Sequence, residues 1–351
     1  MVHDLHAYLD QLDHDGDFHG TVLITSQDGP PLARAYGLAD RTWNVRHTPG
    51  TRFRVASIGK AFTAVAVWHL IETGRLMLDT PAHDVLDLSG TRIPPAVTVR
   101  HLLTMTAGLA DWFEESLNWP EEWQRLRAQH DVFALRTNRD YLPLFAHKAP
   151  LAGVGEHFRY SNASFILLGL ILEDILGRPY EETVQDLVFG RAGMTATGFD
   201  HTDDVVPDTA QGYVPPSEPD GRWRRNTYLV TPAPAADGGV TSAAADLDRF
   251  LHALRGGQLL SAPLSAQLLN GERSVAGAGT LRGQATRVGH GLTCSLDLQG
   301  QVTRVGLTGE EEGVSARAAD YPLLGVHVVV LSNVSGGAAR VTWDLHDLLT
   351  S

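Results

Sequence analysis

Ser57 stands three residues ahead of Lys60, and Lys60 is one of only two lysines among 351 residues. With 16 serines in the chain, chance supplies such a pair in roughly one sequence in ten of this composition. On a helix, positions i and i+3 share a face, so the amine and the hydroxyl can meet. A serine alcohol is a weak nucleophile until a neighbouring base takes its proton. Lysine can be that base if its pKa falls from about 10.4 to near 7–8, a change of about 4 kcal/mol. The apolar run Ala61–Trp68 that follows predicts a buried setting that lowers it.

Such a pair needs a fixed backbone. Arg52–Ala56 reads as a strand, and a helix from about Ser57 to Glu72 begins where it ends, with Gly74 as the stop. Upstream, Leu5, Tyr8, Leu9 and Leu12 share one side of a short helix. Thr21–Thr25 and Leu32–Tyr36 form a hairpin about the turn Gln27-Asp28-Gly29-Pro30. Downstream, helices are expected at Thr98–Met105, Asn162–Leu176, Tyr180–Val188 and Ser242–Leu254, the last with Asp246 and Asp248 facing outward. Val205–Pro234 holds six prolines and little periodicity, and reads as a surface excursion. Four strands follow at 289–297, 301–308, 314–320 and 325–332, then a helix over Arg340–Leu349. Strands at both ends with helices between predict one sheet assembled from both termini.

A second group capable of proton transfer, Tyr160-Ser161-Asn162, lies just ahead of the second long helix, about 100 residues after Ser57. A phenol near a Ser–Lys pair can accept or return a proton, and an amide can orient the lysine or a substrate carbonyl. With Phe53–Thr63, Gly74–Pro81, Val99–Leu109, Phe158–Asn162 and Gly238–Ser242, the chain resembles the serine β-lactamase/penicillin-binding protein superfamily. The S-x-x-K signature is that superfamily's. Tyr160-Ser161-Asn162 resembles the variant of its class C branch, which includes family VIII carboxylesterases, D-aminopeptidases and D-amino-acid amidases.

The resemblance implies a nucleophilic Ser57, a base role shared by Lys60 and Tyr160, and Asn162 holding the lysine or the acyl amide. It aligns the family's third motif, K-T-G or H-x-G, with Leu307-Thr308-Gly309, on a strand edging the site. It makes the backbone N–H groups of Ser57 and Glu310 the oxyanion hole. Leu307 departs from the pattern, since leucine neither donates nor carries charge; this lowers the expectation for carboxylate-bearing β-lactams and favours esters or apolar acyl donors. The run Glu310-Glu311-Glu312 reads either as a solvated turn or as a site for a substrate ammonium group, with Glu311 in contact. Trp112, Phe113, Trp119 and Trp123 read either as a loop packed on the helices or as the lining of a substrate pocket.

Composition narrows the alternatives. A net charge of −13 without a basic stripe argues against nucleic acid; Arg222, Arg224 and Arg225 read as a solvated loop. The single cysteine, Cys294, rules out an internal disulfide, fits a reducing compartment and reads as a small buried hydrophobe. Neither a signal sequence nor an 18-residue apolar run is found, so the expectation is a cytoplasmic protein without a membrane partner. The 16 histidines show no H-E-x-x-H spacing, and His3, His6, His14 and His19 read as surface residues, so no metal or cofactor is expected. G-x-S-x-G, P-loop and G-x-G-x-x-G motifs are missing, which removes α/β-hydrolase and nucleotide-binding readings. Nothing in the sequence sets an oligomeric state.

The expectation is therefore an α+β chain of one β-lactamase/transpeptidase-like domain. Its antiparallel sheet, flanked by N- and C-terminal helices, comes from about residues 1–59 and 238–351, with a mainly helical lobe at about 60–237. The expected activity is that of a serine hydrolase acting on a small-molecule ester or amide. An acyltransferase using the same acyl-enzyme and a catalytically impaired binding protein are the alternatives.

Overall fold

The computed structural model of the chain describes residues 2–27, 29–218, 221–271 and 280–351. Eight strands form one antiparallel sheet: β1 (Gly20–Ser26), β2 (Gly29–Tyr36), β3 (Thr280–Leu281), β4 (Gln284–Gly289), β5 (Leu292–Leu296), β6 (Val302–Glu311), β7 (Val314–Tyr321) and β8 (Val326–Ser332). Their order is β2-β1-β8-β7-β6-β5-β4-β3. The first and last strands of the chain pair inside the sheet, Gly20 opposite Ser332 and Ser26 opposite Val326, as expected for a sheet built from both ends. Every residue of β8 is buried, its apolar run Val328–Leu331 as well as His327 and Ser332.

Each face of the sheet carries its own core. On one, α1 (Val2–Asp15) and the C-terminal helix, Gly337–Thr350, bury Leu5, Leu9, Leu12, Val341, Leu345 and Leu349 against sheet residues such as Val330 and Tyr321. On the other lie α2 (Gly59–Glu72), α3 (Asn162–Leu176) and α4 (Ala244–Arg255). Helices α2 and α3 are apolar nearly all round because they run through the interior. Phe62 meets Phe189 and Phe250 edge to face at 5.1 and 4.9 Å, a geometry that adds about 0.5–1.5 kcal/mol per pair to burial alone. Gly177, at φ 65°, ends α3 in the left-handed conformation.

Several expectations shift by local chemistry. The first expected C-terminal strand starts later, at Leu292, because His290 and Gly291 take φ of 57° and 74° and turn the chain back from β4. Within α4, Asp246 is fully buried rather than outward: its carboxylate accepts the N–H of Ala196 and the Thr197 hydroxyl, 2.7 and 2.8 Å away. Helical spacing shows which residues share a face, not which face meets protein. Within the hairpin turn after β1, Asp28 lies outside the described residues, as does the His3 side chain. Cys294 is buried, with its thiol 3.2 Å from the Leu269 carbonyl. Among the described residues no helix is long and apolar enough to cross a membrane.

The sheet reaches the start of α2 by backbone contact. A Cβ on Gly309 of β6 would lie 2.0 Å from the Val55 carbonyl oxygen, and one on Gly238 would lie 2.7 Å from that of Ala56. Ala56 itself sits at φ 46°, a left-handed conformation that costs a residue with a side chain about 1 kcal/mol or more. Gly309→Ala should therefore lower unfolding stability by about 2 kcal/mol or more; a urea midpoint equal to wild type would show that this approach is not tight.

Candidate active site

Residues 56–58 form a single 3₁₀ turn ahead of α2. That turn leaves Ser57 half-buried and brings Lys60, 1% exposed, beneath it. Lys60 Nζ lies 2.9 Å from Ser57 Oγ, 2.7 Å from Asn162 Oδ1 and 2.6 Å from the Asp237 carbonyl oxygen. The Tyr160 hydroxyl lies 2.7 Å from the same Ser57 oxygen, and the Lys60 nitrogen is 4.9 Å from the centre of the Tyr160 ring. Ser57, Lys60, Tyr160 and Asn162, chosen from the sequence, thus meet at one point.

Asn162 is held from two sides. It is the first residue of α3, capped by the Ser161 hydroxyl, which accepts the Ser164 N–H at 3.1 Å. Its own N–H and that of Ala163 point at the Asp111 carboxylate, 2.6 and 3.0 Å away. A buried carboxylate there serves two of the free amides of the helix start and complements its dipole. The Asn162 side-chain amide donates to Glu115 at 3.0 Å. Asp237 is fixed in turn by the Trp112 indole N–H, 2.8 Å from its carboxylate. Asp111, Glu115 and Asp237 are the site residues that sequence reasoning missed. Interleaving of acids with aromatics over 111–123 was the one visible signal, and nothing in it pointed toward Ser57.

These carboxylates change the expected state of the lysine. Burial drives Lys60 toward the neutral amine, but Tyr160, Asp237 and Glu115 together outweigh it, and the amine titrates above its ordinary value. The sequence expectation of a strongly lowered pKa is overturned: the apolar α2 supplies desolvation, and the long-range acids supply a larger opposing field. Burial also pushes Tyr160 up to about 12, against the pull of the Lys60 cation. As an ammonium, Lys60 gives one N–H to each of its three acceptors. As an amine it keeps Asn162 and Asp237 and receives the Ser57 proton along the same 2.9 Å line.

Two cavities meet at Ser57. One, of about 230 Å³, is bordered by Trp112, Phe113, Trp119 and Trp123 on one side and by Glu310, Glu311 and Glu312 on the other. Glu311 is shared with Arg54, 3.2 Å away, and Glu310 pairs with Arg317. The exposed Arg224 stands among its lining residues. The other cavity, of about 320 Å³, takes Tyr160, Met105, Leu292, Gly306 and Thr308 into its lining. Leu307 borders neither: it is fully buried in the main core, because alternation along β6 turns it away from the face that carries 306, 308 and 310. Its expected contact with substrate is therefore corrected. Gly309 serves the site by letting β6 approach Val55.

A family model described as Beta-lactamase matches residues 5–350. The chain belongs to the Beta-lactamase family. Esterase EstB of Burkholderia gladioli is 33% identical over 201 residues, 56% of this chain and 50% of the relative. Penicillin-binding protein 4* of Bacillus subtilis is 29% identical over 266 residues, 71% of this chain and 55% of the relative. The chain thus aligns with about half the length of these curated relatives. The crystal structure of a penicillin binding protein from Bacillus halodurans superposes with a TM-score of 0.87 at 33% identity, covering 97% of this chain and 99% of that one. In this Beta-lactamase-family member the large antiparallel sheet and its flanking helices match the expected fold.

The raised Lys60 value has a signed consequence. A base with a raised pKa is free only at high pH, so reaction of Ser57 with a neutral fluorophosphonate should keep accelerating as pH rises up to and past the ordinary lysine value of about 10.4, with no plateau below it. A rate already level above pH 7 would show that the amine is neutral at rest.

Proposed function

We propose that the chain is a serine hydrolase that forms an acyl-enzyme on Ser57 with a small ester or amide. The reading rests above all on one observation: the Ser57 oxygen lies within hydrogen-bonding reach of both a buried lysine, at 2.9 Å, and a phenol, at 2.7 Å. The Ser57 proton passes to the amine of Lys60 as Oγ bonds to the substrate carbonyl carbon, with Tyr160 a partner in the transfer. The oxygen that becomes negative is received by the N–H groups of Ser57 and Glu310, each such donor supplying about 10²–10³ in rate. Collapse breaks the bond to the leaving group, which takes a proton from the Tyr160–Lys60 pair. Water then attacks the acyl-enzyme and gives a proton to the same pair, which returns it to Ser57 Oγ as the bond to the acyl group breaks and the acid leaves. Asn162 keeps Lys60 in line throughout. EstB is named an esterase, which supports this chemistry.

The substrate class follows from the cavity walls. Four aromatic rings facing carboxylates favour a group that is both bulky and positively charged; a cation over such a ring gains about 0.5–2 kcal/mol. Glu115 and Glu312 add to the acidic lining. An ester or amide bearing an ammonium group fits, and a carboxylate-bearing β-lactam does not.

Intact-mass analysis after fluorophosphonate treatment should show one adduct, absent in Ser57→Ala, and Tyr160→Phe should slow labelling by about 10²–10⁴. An adduct on the Ser57→Ala protein would move the nucleophile elsewhere. Among p-nitrophenyl esters of matched size, the amine-bearing one should have the higher kcat/KM, by about tenfold, with the preference shrinking at high salt. Equal constants would remove the ammonium assignment and leave the acyl-enzyme standing.

A further inference from the structure

Away from the Ser57 cleft, three ligating side chains converge between α4 and β8. Asp248 and His252 are four residues apart on one face of α4, and His327 is the second residue of β8. Their nearest ligating atoms all lie within 4.8 Å of one another. His327 Nδ1 is 2.9 Å, and His252 Nε2 3.6 Å, from the same Asp248 oxygen, Oδ1. The two imidazole rings stand 4.2 Å apart.

Hydrogen bonding alone leaves this arrangement incomplete. Oδ1 already receives the Thr25 hydroxyl at 2.6 Å and His327 at 2.9 Å, so the His252 nitrogen is aimed at an oxygen that is already served, at a distance too long for a hydrogen bond. Two imidazole nitrogens and a carboxylate directed at one point are the donor set of a first-row divalent metal, with zinc bonds of about 2.0–2.2 Å. The surroundings support it. The Asp320 carboxylate lies 3.6 Å from the far nitrogen of buried His327, so negative charge stands behind that ring although no hydrogen bond forms at this distance. Asp320 is itself anchored by Arg255 Nε at 2.9 Å. His252, 56% exposed, gives the ion a way in and leaves room for a water as fourth ligand. Asp248, His252 and His327 line neither of the cavities that reach Ser57.

We infer that Asp248, His252 and His327 bind one divalent transition-metal ion, zinc being the reference case, at a site separate from Ser57 that ties α4 to strand β8 of the sheet. The ion replaces the proton between His327 and Asp248 and needs no other co-reactant. The test uses the full chain without a histidine tag, stripped with chelator and dialysed against micromolar zinc. Metal analysis should find one equivalent per chain, the thermal midpoint should rise, and cobalt in place of zinc should give the intense visible bands of a four-coordinate site. His252→Ala, at an exposed position, should lower zinc affinity by more than about 10–100-fold, the loss known for disrupting a metal site's outer shell. His14→Ala, on exposed α1 surface, should not, and fluorophosphonate labelling of Ser57 should be unchanged by either. Uptake of less than one equivalent, or uptake that His252→Ala leaves intact, would overturn the site and reduce the cluster to a histidine–carboxylate ion pair.

Discussion

A charged nitrogen with three N–H groups has been taken out of water at Lys60, and most of the site follows from having to satisfy it. An isolated buried ammonium is prohibitively costly, and it becomes tolerable only where each proton has an acceptor and opposite charge lies close by. Those acceptors come from three distant segments: Ser57 on the turn before α2, Asn162 at the start of α3, and the carbonyl of Asp237, 177 residues further along the chain. Each must in turn be held. Asp111 grips the first amides of α3, and Trp112 fixes the Asp237 carboxylate. The neighbouring Ala236 is tied through its N–H to Asn138 and through its carbonyl to the Thr63 hydroxyl, at 2.8 and 2.6 Å. The hydrogen-bond demand of one amine thus organises elements that share no local sequence relation.

Backbone packing imposes the second constraint. The turn carrying Ser57 is pressed between Gly238 and Gly309, where a single added carbon would collide with main-chain oxygen. Because those contacts are main chain to main chain, they leave side chains free to vary around the cleft while the positions of the Ser57 and Glu310 amides stay fixed. The strained Ala56 belongs to the same arrangement: its left-handed conformation lets the chain leave the Arg52–Arg54 strand and enter the 3₁₀ turn without lifting Ser57 into solvent.

Electrostatics then separates resting state from reaction. The acids that make Lys60 tolerable also keep its proton in place, so a stable site and a reactive one pull in opposite directions. Burial raises the carboxyls of Glu115 and Asp237 as well, with Lys60 opposing it in both, which marks the cluster as one coupled network. A positively charged group entering the aromatic cavity would weaken the hold of these carboxylates on the lysine proton.

The elements were largely legible from local pattern. Leu5, Leu9 and Leu12 declared a helix face, Thr98 begins a helix that the structure places at 99–103 with Thr98 as its cap, and the Asn162–Leu176 helix has the expected ends, the structure adding Ser161 as its cap. The spacing of Ser57 and Lys60 fixed a hydroxyl and an amine one turn apart, and with Tyr160 and Asn162 it pointed to the family. Tertiary structure alone decided the protonation of Lys60, the inward turn of Asp246, the retreat of Leu307 into the core and the meeting of His327 with α4. The physical reason is common to all four. Periodicity tells which side chains travel together, whereas a pKa, a buried carboxylate or a ligand set depends on which remote groups arrive within a few ångströms.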